Sequence, residues 1–231
     1  MWPMGADGAP PAHTVRRDSR QTSSVVEAIA WTGALIGYFG PWITGPAWGA
    51  ALSWNAYDLF DLMRLLPDIE TGALSVNLQT LHFPLLGLAI LLPTLGSRPV
   101  RRWWQWASMG IGIVLALATL PPYPEIVTAW RTPGWRVPFW WAIACAGLSV
   151  LAARTRTRLD RVMPWIAVAV VIAATLPAAR TLYSLLPAIS RLHHTTVAAG
   201  WGFWVCTIGL GMIGAQVVYR VCVTSARHQK Q

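Results

Sequence analysis

Charge is scarce in this sequence. Acidic and basic residues make up only 12% of its 231 positions, about half the share of an ordinary soluble domain. A soluble chain of this length would need more to cover its surface. Lysine is almost missing, with Lys230 alone. Cysteine is rare as well. Cys145, Cys206 and Cys222 form no CxxC pair, and an odd number does not make a disulfide framework. Free thiols within apolar runs act as small hydrophobes. No Walker motif, Ser–His pairing or HExxH-type metal motif occurs, which argues against hydrolase chemistry and assigns any ATP-driven role to a separate subunit.

The missing charge has a pattern. Acids, lysine and arginine are absent from residues 28–57, 71–97, 103–124, 137–153, 162–179 and 192–219, with His82, His193 and His194 the only titratable imidazoles there. A bilayer core of about 30 Å takes roughly 17–25 apolar residues of helix. Lipid satisfies no open backbone groups, so these runs are expected to be helical. The sequence therefore predicts an all-α integral membrane protein. Six transmembrane helices form a bundle, with spans near 25–43, 79–96, 104–121, 137–153, 162–178 and 195–219. Residues 1–24, which lack the apolar core of a cleavable signal, are expected to be a disordered tail, and 220–231 a C-terminal tail. Charges buried within a span mark ion pathways; with only Glu27, at the cytoplasmic edge of the first span, a proton-driven pump and a charged-ring pore are disfavoured.

The net charge of +9 has a topological account and needs no nucleic acid. The N-terminal tail, the second and fourth connections and the C-terminal tail hold 13 of the 18 basic residues, among them Arg16, Arg17, Arg98, Arg101, Arg154, Arg158 and Arg220. These segments alternate with the others and so share one side. Excess arginine marks the cytoplasmic face. Both termini are expected there, in a plasma membrane, bacterial by its short connections and sparse lysine. Tryptophan is abundant, at 15. Trp103, Trp104, Trp106 and Trp165 fall at inner ends of spans, and Trp42, Trp48, Trp130, Trp135, Trp140, Trp141, Trp201 and Trp204 near outer ends, as an interfacial belt requires. The sharper alternative is a ligand pocket on the outer side built from Trp140, Trp141, Trp201 and Trp204.

The densest acidic cluster lies in WNAYDLFDLMRLLPDIE, residues 54–70. Asn55 is a good N-cap, Asp58 occupies the first turn and Pro67 is a stop. Asp58, Asp61 and Arg64 recur every three residues and form one narrow polar stripe on an otherwise apolar helix. Such a helix lies flat at an interface. It is expected in the first extracytoplasmic loop, as a short lid on lipid or on the outer ends of the spans. Its functional alternative is a docking surface or a cap over an outer cavity.

Small residues recur at helix-contact spacing: Ala30, Ala34, Gly33 and Gly37 in the first span, Gly200, Gly209, Gly211 and Gly214 in the last. Contact within one bundle is the expected use. The tetrapeptide ATLP closes the third span at 118–121 and returns at 174–177, where it is expected to close the fifth and hints at a repeat of helical hairpins.

Histidine is a common haem or metal ligand, and His82, His193 and His194 fall at outer ends of spans; headgroup-facing histidines are the plainer reading, and no cofactor is predicted. The leading expectation is a non-enzymatic membrane subunit of a larger complex, in contact with membrane lipid and other membrane subunits. The alternatives are a binding or permease component for a small uncharged solute, and a haem- or quinone-linked redox protein.

Overall fold

Apolar sequence must satisfy its backbone groups within its own segment, and this chain does so with helix. The computed structural model describes residues 12–47, 50–63, 66, 69, 71–72, 74–95, 102–121, 125–128, 130–155 and 162–228, and 81% of these described residues are helical. The helices are α1 (Ala12–Phe39), α2 (Ala56–Met63), α3 (Phe83–Leu95), α4 (Arg102–Leu117), α5 (Glu125–Thr128), α6 (Pro133–Thr155), α7 (Met163–His193) and α8 (Trp201–His228), and a 3-10 turn over Leu78–His82 leads into α3. Among the described residues three segments are long and apolar enough to cross a membrane: Trp135–Arg154, Met163–His193 and Trp201–Cys222. Shorter apolar helical segments cover Val25–Phe39, Leu78–Thr94 and Trp103–Leu117.

The chain is not all-α. Strands β1 (Ile43–Ala47), β2 (Ala50–Trp54) and β3 (Ala198–Ala199) form an antiparallel sheet in the order β2-β1-β3. Ile43 lies opposite both Trp54 and Ala199. The expected sixth span therefore begins later, at Trp201, because residues just before it are sheet. Helix α7, expected as the fifth span, does not stop at Pro177. It continues through Pro177 and Pro187 to His193, so the two ATLP segments differ in structure: the first follows the end of α4, the second lies inside α7. Thr175 donates to the Val171 carbonyl at 2.8 Å, which is ordinary back-bonding within an uninterrupted helix. Helix α1 starts at Ala12, inside the segment read as a tail; residues 1–11 lie outside the described residues.

Each neighbouring pair of long elements has a readable direction. Helices α1 and α8 are antiparallel. Their seam is made of small residues: a Cβ on Gly209 would fall 2.6 Å from the Ala34 nitrogen, and one on Gly202 2.5 Å from the Gly40 carbonyl carbon. The expected close contact is thus intramolecular, and Gly211, which faces open space, takes no part in it. At the far end of the seam Arg220 donates to Glu27 at 2.7 Å. Helices α3 and α7 are antiparallel too, with the Thr80 and Thr181 hydroxyls 2.7 Å apart at one level and Gly87 against Ala174 further along. Gln105 donates to the Ala153 carbonyl and Ser149 to that of Ala89, while the Phe83 and Trp141 rings meet at 5.9 Å. A Cβ on Gly112 would also come within 3.5 Å of Ser149, so α4 is antiparallel to α6, and the two α3 contacts make α3 parallel to it. Helix α3 is apolar around its whole circumference and sits at the centre, as a helix surrounded by others must.

The outward faces are apolar. Trp165 is 64% exposed and Leu176 67%, and Trp103, Trp106 and Ile208 are also well exposed. Two residues assigned to the tryptophan belt are instead core: Trp42 is 1% exposed and Trp135 is buried. Trp42 folds back to donate to the Gly37 carbonyl at 3.1 Å. Trp48 lies outside the described residues.

Candidate functional site

The polar groups that an apolar core tolerates are those with partners; Thr94, Ser108 and Ser149 bond to helix carbonyls further along, while Thr80, His82, Thr119 and Thr181 are buried toward the end of the bundle that α2 covers. Asn55 caps α2 as its sequence position requires, accepting from the Asp58 backbone N–H at 2.9 Å. The apolar face of the helix is turned onto protein: Ala56, Leu59, Phe60 and Met63 are all buried. Asp58 faces outward. Arg64 lies outside the described residues, so the expected Asp61–Arg64 pair cannot be placed. Replacing Asn55 by Ala should lower thermal stability by about 1 kcal/mol, the usual worth of an N-cap, measurable as a melting shift in detergent.

Beneath α2 lies His82, at the end of the 3-10 turn. That turn is capped by Asn77, whose side chain accepts from the Gln79 N–H. His82 is 3% exposed. Its Nδ1 is 2.9 Å from the Tyr38 hydroxyl of α1. The Phe60 ring covers it at 4.3 Å between centroids, Tyr57 approaches at 5.9 Å, and Phe60 in turn touches Trp135 at 5.4 Å. His82 therefore joins α1, α2 and α3 in a single aromatic cluster. Its other nitrogen, Nε2, is buried without a hydrogen-bond partner among the described residues. Beside the ring is a small cavity lined by Gln79, His82, Phe83, Leu86, Thr119, Pro138 and Trp141. Its free space of about 10 Å³ is near the volume that one water needs.

The three histidines are in different settings. His193 packs edge-on against Trp54 at 5.6 Å. His194 closes α7 in the left-handed region, at φ 51°, with its backbone N–H turned to the Arg191 and Ser190 carbonyls. Among the described residues no group of three or more His, Cys, Asp or Glu side chains is placed to hold a metal. At His82 one nitrogen is taken by Tyr38 and the other meets a space far too small for a macrocycle.

The four tryptophans proposed as a pocket stand half-exposed, Trp140 and Trp141 on α6 and Trp201 and Trp204 on α8. Trp141 lines the cavity beside His82, whereas Trp201 lines a shallow groove with Leu35, Ile36 and Phe39. Tyr38 and Phe60 escaped notice in the sequence. The one available signal for Tyr38 was a hydroxyl inside an otherwise uncharged, apolar run. No family model matches the chain, and neither a curated protein nor a solved structure matches it significantly.

Proposed function

We propose that the chain is a six-span plasma-membrane protein with both termini cytoplasmic, acting as a non-enzymatic subunit whose outer cap contacts another membrane protein. The spans are the apolar parts of α1, the 3-10 turn with α3, α4, α6, α7 and α8. Three of these helical segments qualify by length alone. Support for the others comes from direction: every described pair alternates as sequential crossings would, antiparallel for α1–α8, α3–α7 and α4–α6, parallel for α3–α6. The 3-10 turn of five residues and the 13 residues of α3 together rise about 30 Å, the thickness of the hydrocarbon core. Reporter fusions at residues 96–100 and 156–160 should read as cytoplasmic; an external signal from either would break the alternation.

The observation that carries the subunit reading is the built cap. Helix α2, the hairpin of β1 and β2, and β3 are tied to the bundle, with Gly200 N–H donating to the Trp42 carbonyl at 2.7 Å and Gly202 N–H to that of Pro41 at 2.8 Å. Asp58, which leads the polar stripe, is turned outward. This is a fixed platform, and it suits a contact surface better than a moving gate. A photocrosslinking residue at position 58 should capture a second polypeptide in native membranes, while one at Ile36, on an outward apolar face, should capture only lipid. Capture of lipid alone at both positions rules the reading out.

A further inference from the structure

Four helix ends meet on the side of the bundle away from α2, and arginine gathers there. The Tyr57 hydroxyl of α2 donates to the Leu120 carbonyl, just past the end of α4, so α4 begins at the opposite end. Gln105, in the first turn of α4, donates to the Ala153 carbonyl at 2.9 Å, which sets the last turn of α6 beside it. Helices α3 and α7 are antiparallel, so α3 ends and α7 begins on that side as well. In sequence, the stretches 98–102 and 154–161 that run into and out of these ends carry seven arginines against one acid, Asp160. Arg154 is exposed, and among the described residues no carboxylate pairs with it. The seam of α1 and α8 differs: there Arg220 is matched by Glu27. Next to the unmatched charge stands open indole. Trp103 and Trp106 on α4 and Trp165 on α7 are each more than half exposed. Guanidinium forks meet phosphate through paired hydrogen bonds, and indole settles just below the headgroups. Together they trace a phospholipid, anion at one level and apolar chains beneath. A soluble anion would use only the arginines, and an acidic protein would leave the indoles uncovered.

We propose that this end of the bundle holds anionic phospholipid in preference to zwitterionic, its phosphate on Arg154 and the arginines of the adjoining connections, its acyl chains against Trp106 and the outward face of α4. The six-span reading, on which the inference rests for its leaflet, makes this the cytoplasmic one. The inference goes beyond the subunit reading, which concerns the opposite end of the molecule.

The test puts a photocrosslinking residue at position 106 of the full chain, in vesicles of phosphatidylcholine with a minor share of phosphatidylglycerol of identical chains. Captured lipid is identified by mass spectrometry. Phosphatidylglycerol should exceed its bulk share by about fivefold or more, the worth of one arginine at a charged surface. A crosslinker at position 36, toward the α2 end of α1, should capture the two lipids in their bulk ratio. Combining Arg154→Gln, Arg156→Gln and Arg158→Gln should return position 106 most of the way to bulk. Salt supplies an arm that needs no variant: the excess should shrink as ionic strength rises. The bulk ratio at position 106, an equal excess at position 36, or an excess indifferent to both the triple substitution and salt each overturns the proposal. The vesicles carry the same lipids in both leaflets, so the captured ratio is independent of orientation. External reporter signals at 96–100 would therefore sink the six-span reading alone, and a bulk ratio with cytoplasmic signals would sink the lipid site alone.

Discussion

Gly37→Ala should be among the most damaging single substitutions in the protein. A Cβ at this position falls onto the backbone of α8, against the Cys206 nitrogen, with the Cys206 Cα at 2.7 Å and the Gly202 oxygen at 2.8 Å. Backbone atoms cannot rotate aside as a side chain would. The two helices must separate, and the contacts of Ala30 and Ala34 with Gly209 open with them. Overpacking of this kind costs about 1–3 kcal/mol and sometimes more, and here it acts along a whole seam. Gly209→Ala, which meets Ala34 and Ala30 backbone at 2.6 and 2.8 Å, should behave alike. Gly211→Ala is the control: its Cβ meets nothing within 4 Å, and alanine is the better helix former. Melting midpoints in detergent should fall for the first two and hold for the third. A wild-type midpoint for Gly37→Ala would mean that α1 and α8 are not packed as described.

Phe60→Ala should release the cap. The Phe60 ring, 2% exposed, bridges His82 and Trp135. Truncating a buried Phe costs about 3–5 kcal/mol through lost burial and the void left behind. Since α2 has only eight residues, too few to be stable alone, that loss should detach it while leaving the helices beneath intact. The readout is protease cleavage between Trp54 and Asn77, added from the outer side of reconstituted vesicles. Cleavage should accelerate for Phe60→Ala and stay slow for Leu62→Ala, whose side chain is exposed. Equal rates would mean that α2 does not rest on His82.

What the sequence revealed and concealed follows from the range of each interaction. The α2 cap was legible because Asn55 and Asp58 act on their own turn. The small-residue seam was legible because helical spacing brings Ala30, Ala34 and Gly37 to one face. The sheet was hidden. ITGPA and AALSW hold Gly, Pro and Ala where strands favour branched and aromatic residues, and β1 pairs with β3 from more than 150 positions along the chain. That pairing exists because glycine contact brings the end of α1 against the start of α8, a cause no local window contains. Pro177 misled for a related reason: proline ends helices in isolation, yet the packed neighbours of α7 carry the helix past it. At the candidate site, His82 could be singled out as a histidine in an apolar run, but its partners Tyr38 and Phe60 come from separate elements and share no motif with it.

The reach of α7 has a mechanical consequence. Its 31 residues make a rod of about 46 Å at 1.5 Å per residue, roughly 16 Å more than a hydrocarbon core. Thr181, about 27 Å along that rod from Met163 at 1.5 Å per residue, is tied to Thr80 and so to the turn that bears His82. On the six-span reading the rod sets the height of α2 above the membrane as a stilt sets the height of a floor. A thicker bilayer would climb the stilt and submerge Asp58 among phosphates, and a thinner one would leave it standing in water, so membrane thickness governs how much of the platform a neighbour can grasp.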